Sequence, residues 1–160
     1  MMVLKYRGAA MFILGMLTVL AGCTERGISN GPGIPTAGAT TTKSLYDRLG
    51  GKSAITAVID RFVGNVAADR RINGRFATTD IPRLKEHLVD QVCSATGGPC
   101  LYKGRDMKHT HRGMQISTGD FEALVQDLVA ALDTFHVPAG EKRELLDLLG
   151  PMQKDIVEVP

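Results

Sequence analysis

A chain of 160 residues has room for one domain and a little more. Its composition is globular, 44% hydrophobic and 22% charged, and three cysteines exclude both a disulfide-dense scaffold and a four-cysteine zinc site. The net charge of +2 is unevenly placed: residues up to Lys43 carry +3 and the remainder −1, so the body lacks the basic excess that engaging phosphates requires, and no nucleic-acid partner is expected.

In chain order, Lys5 and Arg7 make a charged start, and an uncharged run follows from Gly8 to Thr24. Its apolar centre, Met11 to Leu20, has the length of a signal-peptide hydrophobic region and is short for a membrane span. It ends in Leu20-Ala21-Gly22-Cys23, which resembles the bacterial lipoprotein processing motif. The resemblance implies that residues 1–22 are a signal peptide and that Cys23 becomes the lipidated N-terminus. An uncleaved anchor, or an ordinary signal peptide with an incidental cysteine, are the other readings of the same residues. A lipidated Cys23 places the protein on a membrane, on the extracytoplasmic and periplasmic side of a bacterial cell envelope. Thr24 to Thr42 is rich in Gly, Ser, Thr and Pro and cannot bury enough apolar surface to offset its ordering, so residues 23–43 read as a flexible tether.

From Ser44 the periodicity is helical. A very short helix, Leu45 to Arg48, precedes Gly50-Gly51; Ala54/Ile55, Val58/Ile59, Phe62/Val63 and Val66 then recur at three- and four-residue steps. Asp80 ahead of Ile81-Pro82 predicts an N-cap opening a helix through Leu84, Leu88 and Val92. Gly97-Gly98-Pro99 closes that helix, and Gly104 precedes a short turn carrying His109 and His111. Two residues span about 200° on a helix, so the two imidazoles point apart and do not chelate one metal together. Ser117 to Asp120 predicts a capping box at the head of a helix through Phe121, Leu124/Val125, Leu128/Val129, Leu132 and Phe135, which Pro138 stops. A last helix from about Glu141 runs to Ile156 with a kink at Gly150-Pro151. No stretch alternates apolar and polar residues long enough for a sheet. The expected class is all-α.

Assembled in order, Ser44-Leu-Tyr-Asp-Arg-Leu-Gly-Gly51, Phe62, Phe76, Gly97-Gly98-Pro99, Tyr102-Lys-Gly104, Met107-Lys-x-x-His111 and Gly113 resemble the group I truncated haemoglobins over residues 44–160. The family implies a shortened globin, two pairs of antiparallel helices crossed around haem b (iron protoporphyrin IX). Position by position, His111 matches the proximal ligand of the haem iron and Met107 the residue beneath the macrocycle. Phe76 matches the phenylalanine pressed against the porphyrin, Phe121 and Leu124 match proximal-side contacts, and Leu84 matches the distal residue that overhangs the iron. The implied function is reversible binding of O2 or another diatomic gas (NO or CO), as in oxygen transport, by a ligand-binding haemoprotein rather than a dedicated enzyme. A bis-histidine electron-transfer or redox-sensing protein, and NO or peroxide detoxification, are the alternatives; both call for an electron partner such as a reductase. A globin fold without haem, kept as an interaction module, is the third.

The chain departs from its family in the distal region. Where many members place a Tyr after the phenylalanine of the second helix and a Gln on the distal helix, this sequence has Val63 and Leu88, so both usual hydrogen-bond donors are missing. His87, on the flank of the Leu84/Leu88/Val92 stripe, is either a second iron ligand or distal donor, or a solvated surface histidine. Gln91 is a further possible donor, and His109 and His136 read as surface residues. Cys93 and Cys100 flank a short turn and, in a domain that matures outside the cytosol, are expected to form a disulfide; two free thiols are the other reading.

Overall fold

The computed structural model describes residues 43–160; the leader 1–22, Cys23 and tether residues 24–42 lie outside the described residues. Helix α1 (Leu45–Arg48) begins at a capping box: the Ser44 hydroxyl accepts the Asp47 N–H at 3.1 Å, and the Asp47 carboxylate takes the Ser44 N–H in return. A reciprocal cap satisfies backbone donors that a helix of only four residues cannot pair within itself. Gly50 and Gly51 follow at φ +94° and +75°, a left-handed reversal that side chains with a Cβ rarely adopt.

Helix α2 (Gly51–Ala68) is the axis of the fold, packing against both α3 (Ile81–Ala95) and α5 (Thr118–Thr134). It earns that place with a stripe of buried residues at helical spacing, Ile55, Ile59, Phe62, Val63 and Val66. Between α2 and α3 the chain takes a 3-10 turn, Asn73–Phe76. The Asp80 carboxylate then caps α3 by accepting the Arg83 N–H at 3.1 Å, with Pro82 in the first turn where no amide hydrogen is missed. Helix α5 opens on the Ser117/Asp120 capping box and buries Ala123, Leu128, Ala131 and Leu132. The alanines, both almost wholly enclosed, let neighbouring backbones approach closely. Truncating the fully buried Leu132 to Ala would cost about 2–5 kcal/mol through lost contacts and the void left behind.

A five-residue helix, α4 (Met107–His111), bears the two histidines of the Met107–Gly113 segment, and the polypeptide finishes with α6 (Ala139–Leu149), a 3-10 turn (Gly150–Met152) and α7 (Gln153–Ile156). The expected single last helix is thus two. It starts two residues earlier than the sequence suggests, at Ala139, and Pro151, which has no N–H to give, falls in the 3-10 turn that divides it. Leu145 pins α6 to the core, and α6 packs on α1. Among the described residues there is no strand, and the one β-type contact is an isolated parallel bridge between Ser117 and Val159. Cys93, fully buried at the end of α3, is joined to Cys100 by a disulfide.

Candidate functional site

A cavity of about 430 Å³ opens among α2, α3, α4, α5 and the C-terminal elements, a size typical of small-molecule and cofactor sites. Its floor and walls follow from the helical stripes. Ile59 and Phe62 come from α2; Phe121, Leu124, Val125 and Leu128 come from α5. Helix α3 contributes Leu84, His87, Leu88, Gln91 and Val92, residues at three- and four-residue steps with His87 on the flank. Leu149, Met152 and Ile156 close the C-terminal side. The wall is therefore largely apolar, with a few polar groups set into it.

Two of those groups are imidazoles. His111, half-buried at the end of α4, has its Nδ1 2.8 Å from the Met107 carbonyl. A carbonyl only accepts, so Nδ1 carries the hydrogen; in the neutral ring Nε2 then keeps its lone pair, the tautomer a metal ligand requires. Met107, one turn earlier, lines the same cavity, as does Thr110. His87 is also half-buried on the wall, its ring edge-on to that of Tyr102 with centroids 6.3 Å apart. His109 is on the other side of α4: exposed, its Nδ1 2.7 Å from the Asp106 carboxylate that caps the helix through the His109 N–H. Those bonds hold the Asp106 carboxyl below its ordinary value, first through the His109 amide. His136 is exposed as well.

The segment joining α3 to α4 supplies one edge of the cavity through Tyr102, Gly104 and Arg105. The Tyr102 hydroxyl donates to the Arg105 carbonyl at 2.9 Å, and desolvation raises its pKa. A Cβ at Gly104 would lie 2.2 Å from the Tyr102 hydroxyl, so glycine is needed for this ring to fold over it. Arg83 and Arg105 are exposed residues on the cavity's edge and put positive charge there. Gln91 has poor partners: its amide donates only towards two thioethers, Met152 Sδ at 3.2 Å and Met107 Sδ at 3.8 Å, both weak acceptors.

Of the residues singled out from the sequence, Leu84, His87, Met107, His111, Phe121 and Leu124 line this one cavity. Phe76 does not. It ends the 3-10 turn before α3, half-buried and packed against the hydrophobic core rather than on the cavity wall. Of the two positions that lack the family's donors, Leu88 is on the wall, whereas Val63 is buried in the core beside it. The contributions of Arg83, Arg105, Met152 and Ile156 are not foreshadowed by the sequence. Met152 and Ile156 come from the 3-10 turn and α7, at and after the Gly150-Pro151 kink that the sequence predicts without assigning it to a site, and the arginines carry no signal that separates them from other surface cations.

The model for the bacterial-like globin family matches residues 44–158. A group 1 truncated hemoglobin, GlbN of Mycolicibacterium paratuberculosis, is 35% identical over 113 residues, which are 71% of this chain and 83% of that protein. The crystal structure of truncated hemoglobin from Tetrahymena pyriformis in its Fe(III) form superposes with a TM-score of 0.70 at 30% identity, covering 72% of this chain and 98% of that one. The 2/2 hemoglobin from Synechococcus, solved in the cyanomet state with covalently attached heme, superposes with a TM-score of 0.69 at 30% identity over 72% of this chain and 98% of its own.

Proposed function

The chain belongs to the bacterial-like globins, with group 1 truncated hemoglobins among its relatives, and from that premise we propose that its cavity holds haem b with His111 as the proximal ligand. The single observation that carries this is the His111 imidazole: it faces a cofactor-sized apolar cavity with Nδ1 committed to the Met107 carbonyl and Nε2 free. The rest of the wall fits the same group. Phe121, Leu124, Leu84 and Met107 offer apolar contact to a flat macrocycle, and the Arg83 and Arg105 guanidinium groups suit the two carboxylates that haem carries. When bound, haem supplies an iron that takes O2, NO or CO reversibly. What the protein supplies is a ligand nitrogen, a largely apolar wall, and a distal side short of donors: Leu84 and Leu88 are apolar, His87, Gln91 and Tyr102 bring polar atoms near, and Arg83 and Arg105 stand at the edge.

Haem titration of the purified domain tests the assignment. One haem per chain is expected, with a reduced spectrum that changes on adding CO. His111→Ala is expected to abolish stable binding, since His109 is turned away and tied to Asp106. A variant that keeps stoichiometric haem and an unaltered spectrum refutes it.

The same proposal extends to where the protein works. Processing at Gly22-Cys23 and lipidation of Cys23 make it an envelope protein tethered to a membrane, facing the periplasm and dependent on an electron partner, such as a reductase, to keep its iron ferrous. What supports this is the Leu20-Ala-Gly-Cys23 motif together with a Cys93–Cys100 disulfide, a bond that persists in oxidising compartments. Cys23→Ala is expected to accumulate unprocessed precursor that carries no lipid. Normal processing and partitioning of that variant overturn the reading.

A further inference from the structure

Helix α4, which carries His111, is too short to hold itself: five residues make barely more than one turn, and an isolated turn is unstable in water. Its position must be imposed at its ends. The N-terminal end is fixed by Asp106. The C-terminal end runs straight into a loop, Arg112 to Ile116, with two residues in left-handed backbone, Gly113 at φ +80° and Gln115 at φ +51°. Gln115 pays a steric cost there that a glycine would not, and such a conformation persists only where its surroundings impose it.

Two distant side chains of opposite charge grip that loop by its backbone. The Glu158 carboxylate accepts the Gly113 N–H through Oε1 and the Gln115 N–H through Oε2, both at 2.7 Å. From the other direction the Arg75 guanidinium donates to the Met114 and Gln115 carbonyls and to the Asp120 carboxylate, the last at 2.7 Å. Glu158 is delivered by backbone pairing: its own N–H and that of Val159 donate to the Ile116 carbonyl at 2.9 and 3.1 Å, and the Thr118 N–H donates to the Val159 carbonyl at 3.1 Å. Helix α7, just upstream of Glu158, packs on α4. Charge-assisted bonds to amides are the stronger kind, and two on one carboxylate fix orientation as well as distance.

We infer that Glu158, with Arg75 as its counterpart, is a positioning residue for His111: its grip on the Gly113 and Gln115 amides sets the pose of the imidazole and, through it, how firmly haem is retained. The inference rests on the assignment of His111 as proximal ligand. Neither side chain lines the cavity, so their effect on haem runs through the loop and α4.

The test uses the haem-loaded protein. Haem transfer to excess apomyoglobin is measured for wild type, Glu158→Ala, Glu158→Gln and Arg75→Ala, beside the iron–histidine stretching band of the reduced protein. Glu158→Ala is expected to speed haem transfer on the order of tenfold, the rate equivalent of losing one good hydrogen bond's worth of positioning. It is also expected to shift or broaden the stretching band. Glu158→Gln keeps one carbonyl acceptor and should fall between, which a general loss of stability would not produce. Hydrogen exchange at the Gly113 and Gln115 amides, followed in the haem-free chain, should accelerate in the same order. Wild-type haem transfer and an unmoved band in Glu158→Ala overturn the inference while leaving His111 in place. A five-coordinate reduced wild type that shows no iron–histidine band, or survival of the band in His111→Ala, overturns both.

Discussion

Opening the Cys93–Cys100 disulfide by Cys100→Ala should loosen one edge of the cavity at a calculable cost. The two cysteines are separated by seven positions and close a ring of eight residues, for which the chain-entropy relation gives about 2.5 kcal/mol at 25 °C. Unfolding entropy for a domain of this length is such that the loss corresponds to a fall of about 10 °C in midpoint. Cys100 is the better position to change because it is half-buried; Cys93 is enclosed, and a serine there would add an unpaired hydroxyl to the core. The released segment carries Tyr102, Gly104 and Arg105, three residues of the cavity wall, so the variant should also lose haem faster than its global stability alone dictates.

Urea unfolding of the domain with and without reductant, alongside Cys100→Ala under oxidising conditions, reads the effect. Reductant should lower the wild type towards the variant and leave the variant unchanged. The tightness of the turn slows that reduction: a Cβ at Gly98 would sit 2.7 Å from Cys93 Sγ, so glycine lets the backbone lie directly over the sulfur and shield it. Equal stability of wild type and variant, or a wild type indifferent to a reductant shown by alkylation to have opened the bond, would refute the reasoning.

With His87 on the cavity wall, the reduced wild type is expected to show a partly six-coordinate spectrum without added ligand, and His87→Leu to convert it to a five-coordinate one and speed CO association, because an internal ligand lowers apparent affinity by the fraction of protein it blocks. An absorption spectrum unchanged by the substitution would leave His87 as a wall residue beside Tyr102. Acid should act on the head of α5. The Asp120 carboxyl is depressed, first by the Ser117 amide and further by Arg75; its contribution is complete above the ordinary carboxylate range and is lost as pH falls through the depressed folded value. Wild type should therefore lose stability between about pH 4 and pH 2 more steeply than Asp120→Asn, as read by urea midpoints across that range; parallel profiles would remove Asp120 from the acid response.

The helices were legible because their signals are local. Asp80 before Pro82 and Ser117 before Asp120 state where α3 and α5 begin, and period-3.6 stripes state which faces are buried. The cavity was legible wherever its lining belongs to such stripes, as at Leu84, Phe121 and Leu124. Phe76 illustrates the limit. It lies in a 3-10 turn between helices, where no periodicity constrains direction, and the structure turns it to the core. The Ser44/Asp47 box was present in the sequence but unread, since a four-residue helix gives too short a stripe to suggest a cap.

What no local signal could provide is the hold on α4. The proposed ligand, His111, sits on a helix of five residues, and the groups that fix that support come from the 3-10 turn ahead of α3 and from beyond α7: Arg75 is separated from Met114 by 39 positions and Glu158 from Gly113 by 45. Neither residue is apolar or periodic, and both are exposed, so in the sequence they are indistinguishable from solvated charges. Their weight comes from the partner, a backbone bent into left-handed conformation whose amides and carbonyls they pair. A surface ion pair contributes little; the same two charges, placed on backbone groups of the loop that follows α4, hold the segment next to the proposed ligand histidine. The legible part of this protein is the apolar envelope that admits a cofactor, and the illegible part is the long-range polar bracing that determines how tightly the cofactor is kept.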